Sequence, residues 1–266
     1  MQREQSIKVF FDESGKGSNK PNLMAGLVIP AIIYNSPDFT SYTQRLRDNE
    51  FKLHWKKYAG DSKKRDCITG IIETFSKYCS TAKLNVINYD HSVLTGRKEF
   101  DNNTVERMIY TKFPERIIYG LLRGYGKNVY IRTDIFIEHS SEYETLGLHN
   151  VVKEQLNTQA LYRGEHYIVE KSNLTPKGNE IGVELTDLLI GIIRTIIKNE
   201  PDDTSKSVTS KNALIIQLLK ITNFRSFIKN IRYFEWTSSR ELMEIDFKDY
   251  MQLFLSNHYE KWLTET

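Results

Sequence analysis

Two cysteines among 266 residues, Cys67 and Cys79, are too few for a disulfide framework. They lie twelve positions apart with no C-x-x-C and no histidine pair at zinc-finger spacing, which excludes a structural zinc site as well. The expected setting is therefore reducing and cytoplasmic. No run of eighteen apolar residues occurs, so no membrane span and no membrane partner are expected. Met1 to Ser6 lacks the apolar core and small-residue cleavage site of a signal peptide. Net charge is small, because 37 Lys and Arg against 34 Asp and Glu leave only +3. That balance excludes a uniformly basic coat but permits a local basic groove. Several catalytic signatures are also missing. There is no G-x-S-x-G and no H-E-x-x-H, and Gly15-Lys16-Gly17-Ser18 lacks P-loop spacing and leads into a strand.

What is present is the composition of a folded protein, 39% hydrophobic and 12% aromatic, long enough to bury a substantial core. Ile7 to Asp12 and Leu23 to Ile33 read as an opening hairpin. Pro37 to Arg47 suits a short helix, Phe51 to Trp55 a short strand, and Asp61-Ser62 an N-cap for a helix running to about Tyr78. Strand and helix then alternate. Strands are expected at Lys83 to Tyr89, Asn128 to Ile137 and His166 to Glu170, with helices from Asn103 to about Arg123, Glu142 to about Leu161 and Ile181 to Lys198. An α/β core over residues 1–200 follows. Pro201 to Ser210 is polar and turn-rich, and the remainder to residue 266 reads as a linker and helical extension packed on that core.

Three acids occupy chemically suggestive places. Asp12 ends the first strand, Asp134 lies late in a central strand, and Asp187 interrupts the apolar helix Ile181 to Lys198. A carboxylate within an apolar surface is costly unless paired, so such acids point to metal-assisted chemistry. Hard oxygen ligands suit Mg2+ or Mn2+, and clustered carboxylates suit phosphodiester cleavage.

With these residues in place, the chain resembles the bacterial and phage proteins grouped as DUF3800, relatives of the ribonuclease H-like nucleases. The resemblance rests on Phe10-Phe11-Asp12-Glu13-Ser14-Gly15, Lys52-Leu53-His54-Trp55, Asp134 and Glu184-Leu185-Thr186-Asp187-Leu188-Leu189. It implies a ribonuclease H-like mixed sheet flanked by helices. It also implies a nuclease or phosphodiesterase whose Mg2+ or Mn2+ is held by Asp12, Asp134 and Asp187, with Glu184 as an added ligand. In the second motif Lys52 stands where an acid is common, which leaves Glu50, two residues earlier on the same strand face, or His54 to complete the catalytic set. Lys52, Trp55, Lys56 and Lys57 would line the nucleic-acid groove, with Trp55, Tyr58 or Tyr89 available for stacking. Two other readings stay open. One is a non-catalytic partner or sensor beside a protein encoded alongside it, in a defence or mobile-element system. The other is an ATP-using phosphotransferase on a related fold. Glu138 and His139 follow Asp134 closely, which leaves two readings for them, the rim of the same site or, in preference, exposed loop residues.

Overall fold

The computed structural model describes residues 3–95, 100–123, 125, 128–236 and 241–264. The chain opens with β1 (Arg3–Ser14) and β2 (Asn22–Pro30), followed by α1 (Ala31–Tyr34) and α2 (Pro37–Arg47). Next come α3 (Ser62–Ser76), β3 (Lys83–Tyr89), α4 (His91–Thr95), α5 (Asn102–Leu122), β4 (Val129–Glu138), α6 (Ser141–Thr145) and α7 (Leu148–Arg163). Beyond these lie β5 (Tyr167–Thr175), α8 (Ile181–Lys198), α9 (Lys206–Leu219), α10 (Thr222–Lys229), β6 (Arg232–Trp236), β7 (Met243–Ile245), α11 (Phe247–Asn257) and α12 (Tyr259–Thr264).

Among the described residues the strands form one seven-stranded sheet in the order β5-β4-β1-β2-β3-β6-β7. β1, β4 and β5 run parallel, and β2 runs antiparallel to both β1 and β3. With helices on both faces, this is the mixed sheet flanked by helices expected from the sequence. The continuous apolar run of β2 follows from its central place, since Leu23, Ala25 and Leu27 pack on one face while Met24 and Val28 pack on the other. On β1 the same alternation sends Ile7, Val9 and Phe11 toward α5 and α7, and Phe10 toward α8. Asp12 shares the Phe10 face. This parity decides which layer the strand-end acid meets.

Helix α8 is apolar on nearly all sides because it lies between the sheet and the C-terminal helices. Two glycines let it come close. A Cβ on Gly182 would fall 2.4 Å from the Phe10 ring, and one on Gly191 would fall 2.3 Å from the Trp55 ring. Gly191→Ala is therefore expected to push Trp55 off the helix and lower stability by about 2 kcal/mol, the scale of core overpacking. Urea denaturation checks this, and an unchanged midpoint would show that the Trp55 segment yields freely.

Some local expectations give way to packing. Phe51 to Leu53 form no strand, and Trp55–Lys57 instead make a single 3-10 turn against α8. The long helix expected from Glu142 breaks at Gly147 into α6 and α7. The segment after residue 200 is not wholly helical, because β6 pairs in parallel with β3 and β7 extends that edge.

Candidate functional site

Parallel pairing of β1 with β4 sets Phe11 opposite Ile137, so the next residues, Asp12 and Glu138, emerge side by side at the end of the sheet. Across from them α8 presents Glu184 and Asp187, one turn apart on the same face. Lys177, in the turn before α8, places its ammonium 2.8 Å from Glu138. Four carboxylates and one lysine thus share a small region. Each β-strand fixes its acid at a rigid end, and the helix supplies the other two.

The electrostatics show how tightly these groups are coupled. Asp12 is 1% exposed, and burial pushes its carboxyl well above the ordinary range. The neighbouring Glu138 carboxylate and the charge of Asp187 push it further, while Lys177 offsets part of this. Glu184 is 2% exposed and is pushed up by burial to about 7, although Gly178 N–H donates to its Oε1 at 2.7 Å and Lys177 favours its charge. Asp187 moves the other way. Burial raises it, but His54, Lys177 and the Trp55 N–H together outweigh that and hold it below its usual value. Its Oδ2 lies 3.2 Å from Trp55 N and 3.4 Å from His54 Nδ1. Lys177 loses some basicity to burial, yet Asp187, Glu138 and Glu184 raise it overall.

Several sequence expectations need correction. Asp134 is not in this cluster. It pairs across the sheet with Lys8, four residues before Glu138, which places it roughly 13 Å further back along the strand. There it serves as a counter-charge to half-buried Lys8. Glu50 is exposed on the turn after α2 and pairs with Arg45 at 2.8 Å, so it does not substitute for the acid missing at Lys52. Trp55 is 5% exposed, donates its indole N–H to Thr195 at 3.1 Å and packs on α8, so it has no free face for a base. Tyr58 and Tyr89 are equally buried. Glu13 points to the opposite sheet face and pairs with Lys16 at 2.8 Å.

Other expected residues do lie near the cluster. His54, Glu138, Asp187 and Lys56 line a cleft of about 400 Å3. On the other side of His54 and Lys177 a second cleft, of about 560 Å3, is lined by Lys52, Lys57 and Glu184. Sequence reasoning misses Lys177 and places Glu138 only at the rim or in a loop, outside the ligand set. Glu138 carried a usable signal, since it follows Asp134 by four and so shares its strand face, and the strand needs to run only one residue longer to reach it. Lys177 sits in Pro176-Lys177-Gly178-Asn179, a turn with no distinguishing pattern.

The chemistry of the donors fits a hard divalent ion. All four are carboxylates, and Asp12 Oδ2 and Glu184 Oε2 are buried without a hydrogen-bond partner. As the side chains stand, no three His, Cys, Asp or Glu among the described residues are spaced to grip one ion. Lys177 is a cation among these carboxylates, paired with Glu138 and close to Asp187 and Glu184. No described helix is long and apolar enough to cross a membrane.

No protein-family model and no curated protein matches the chain. Among solved structures it is similar to the crystal structure of Bst-RNase HIII in complex with Mn2+, with 11% sequence identity and a TM-score of 0.36. The match covers 85% of this chain and 65% of that one, so it spans less than two thirds of that protein's length.

Proposed function

We propose that the chain is a divalent-metal-dependent nuclease that cleaves phosphodiester bonds of nucleic acid. The observation that carries this reading is the convergence of Asp12, Glu138, Glu184 and Asp187 from two strand ends and one helix, with unpartnered buried oxygens on Asp12 and Glu184. These four would hold Mg2+ or Mn2+. A bound ion would supply an activated water and neutralise charge building on the phosphate oxygens. His54 is oriented through Nδ1 by Asp187, which leaves Nε2 to hand a proton to the departing oxygen. Lys177 keeps Glu138 in place and adds positive charge beside the reacting phosphate. Lys52 and Lys57 in one cleft and Lys56 in the other would attract the backbone on both sides of the carboxylates.

The test is cleavage of labelled single-stranded and hybrid substrates with Mn2+ or Mg2+. Glu138→Gln is expected to lose about 10^2-fold in rate, and Asp134→Asn to stay within about threefold of wild type. The reverse pattern would return the site to Asp134.

One feature favours a second reading, a non-catalytic partner or sensor subunit. Lys177 stands among the carboxylates and pairs with Glu138, as expected of a site that has exchanged ion binding for a fixed internal cation. Metal-dependent cleavage by the purified chain would reject that reading. Full nucleic-acid binding with no cleavage under any divalent ion would support it.

A further inference from the structure

The cleft that begins at Glu138 and Asp187 continues along α8 into a cationic wall. Asp187, Gly191, Arg194, Thr195 and Lys198 recur at four- and three-residue steps, so they share one helix face and follow the cleft away from the carboxylates. Lys211 and Asn212 of α9 close its far side, and Lys56 stands on the 3-10 turn. We propose that Lys56, Lys198 and Lys211 form a subsite for a backbone phosphate of the nucleic-acid strand, next to the phosphate that is cleaved. The proposal rests on the nuclease reading only for the identity of that neighbouring phosphate.

Three observations carry it. First, Lys211 is half-buried and preorganised, donating to Ser207 Oγ at 3.0 Å and to the Lys56 carbonyl at 3.4 Å. Second, it faces Lys198 and Arg194, and of the acids in the cleft Glu200 pairs with Lys198 at 3.1 Å. Like charges held together in a partly desolvated cleft favour an anion among them. Third, Asn212 is 2% exposed and its Oδ1 has no partner, leaving a buried acceptor for a sugar hydroxyl or base N–H of the same strand beside the lysines that meet the phosphate. Arg194 is committed elsewhere. Its guanidinium donates to the carbonyls of Asn19, Lys20 and Pro21, so it anchors the β1–β2 loop and contributes charge to the wall without a free fork. The cleft volume of about 400 Å3 lies within the range of small-ligand sites, enough for a phosphodiester with its flanking sugars.

The subsite makes α9, which follows the polar loop, part of the substrate-binding surface instead of an accessory layer. The experiment uses the full chain carrying Asp12→Asn, so that the strand is not cut, and follows anisotropy of fluorescein-labelled single-stranded DNA and RNA. Adding Lys198→Ala and Lys211→Ala is expected to weaken binding at least tenfold. It should also reduce the slope of log K against log salt by about 0.7, the contribution of one single-strand phosphate contact. Lys63→Ala with Lys229→Ala serves as the surface control and should change affinity less than twofold. Lys211→Gln alone, with a small perturbation of folding, should give part of the loss. Unchanged affinity and slope in the double variant would overturn the subsite while leaving the nuclease reading intact. Strand binding that depends on these lysines, without metal-dependent cleavage by the wild-type chain, would keep the subsite and remove the nuclease. Saturable displacement of the strand by AMP, lost in the double variant, would assign the pocket to a free nucleotide and also overturn the proposal.

Discussion

Asp12→Asn is expected to abolish metal-dependent cleavage, by at least about 10^3-fold, and at the same time to make the metal-free protein more stable. Both effects come from one physical cause. The Asp12 carboxyl is buried at the strand end, accepts a hydrogen bond from Glu13 N–H on Oδ1 at 2.7 Å, and has no partner for Oδ2. Glu138 and Asp187 add negative charge beside it. Without a metal, a charge there is costly, and the raised pKa of the group expresses that cost. Asparagine keeps the shape, removes the charge and offers an N–H to Glu138. A gain of roughly 1–2 kcal/mol is typical when a functional site is relieved of such conflict. For a chain of this size that corresponds to an increase in Tm of about 4 °C. Mn2+ should then raise the Tm of the wild-type protein and leave the variant almost unmoved, since binding stabilises only a state that holds the ion. Thermal unfolding with and without Mn2+, beside the cleavage assay, decides the matter. A variant that is less stable in EDTA would mean that Asp12 is a structural acid and not a ligand held at a cost.

The opening motif was legible because a strand that ends on an acid has a fixed geometry. Residue parity alone placed Asp12 and Glu13 on opposite faces, and the apolar helix Ile181 to Lys198 announced Asp187 by interrupting its own pattern. The third acid was harder. Asp134 and Glu138 share a face of β4, and choosing between them requires the register against β1, a long-range fact that single-strand periodicity does not contain. Phe51 to Trp55 failed for a different reason. Its alternation looks like a strand, but Trp55 is drawn into the notch at Gly191 and the segment turns, leaving Glu50 outside with Arg45. The strands β6 and β7 were hidden among helical patterns because an edge pair is short and half polar. Lys177 had no signal at all, since a lysine in a turn is ordinary until four carboxylates surround it. Long-range register and the choice of buried partner are therefore where the sequence reading stopped.

A second large effect is expected from pH, and it isolates Glu184. In the folded chain this carboxyl titrates near 7, whereas an unfolded glutamate titrates near 4.5. Below the lower value both states are protonated and Glu184 imposes no penalty. As pH rises, the unfolded state releases its proton first, so stability falls between about 4.5 and 7 and the full penalty is present above that. The difference corresponds to at most about 3 kcal/mol. Asp12, raised for similar reasons, acts with the same sign. Asp187 acts oppositely, but its depressed carboxyl gives stability that is lost only as pH falls below the ordinary aspartate range, outside this window. The metal-free protein should therefore become less stable from pH 5 to pH 8, and Glu184→Gln should flatten most of that slope. Urea unfolding in EDTA at steps across this range measures it. Wild-type and variant slopes that coincide would remove Glu184 from the account. The same proton competes with a divalent ion, so Mn2+ affinity of the wild-type chain should rise through pH 7 and that rise should shrink in Glu184→Gln. A pH-independent Mn2+ affinity would separate the carboxylate on α8 from the ion and leave Asp12, Glu138 and Asp187 to hold it.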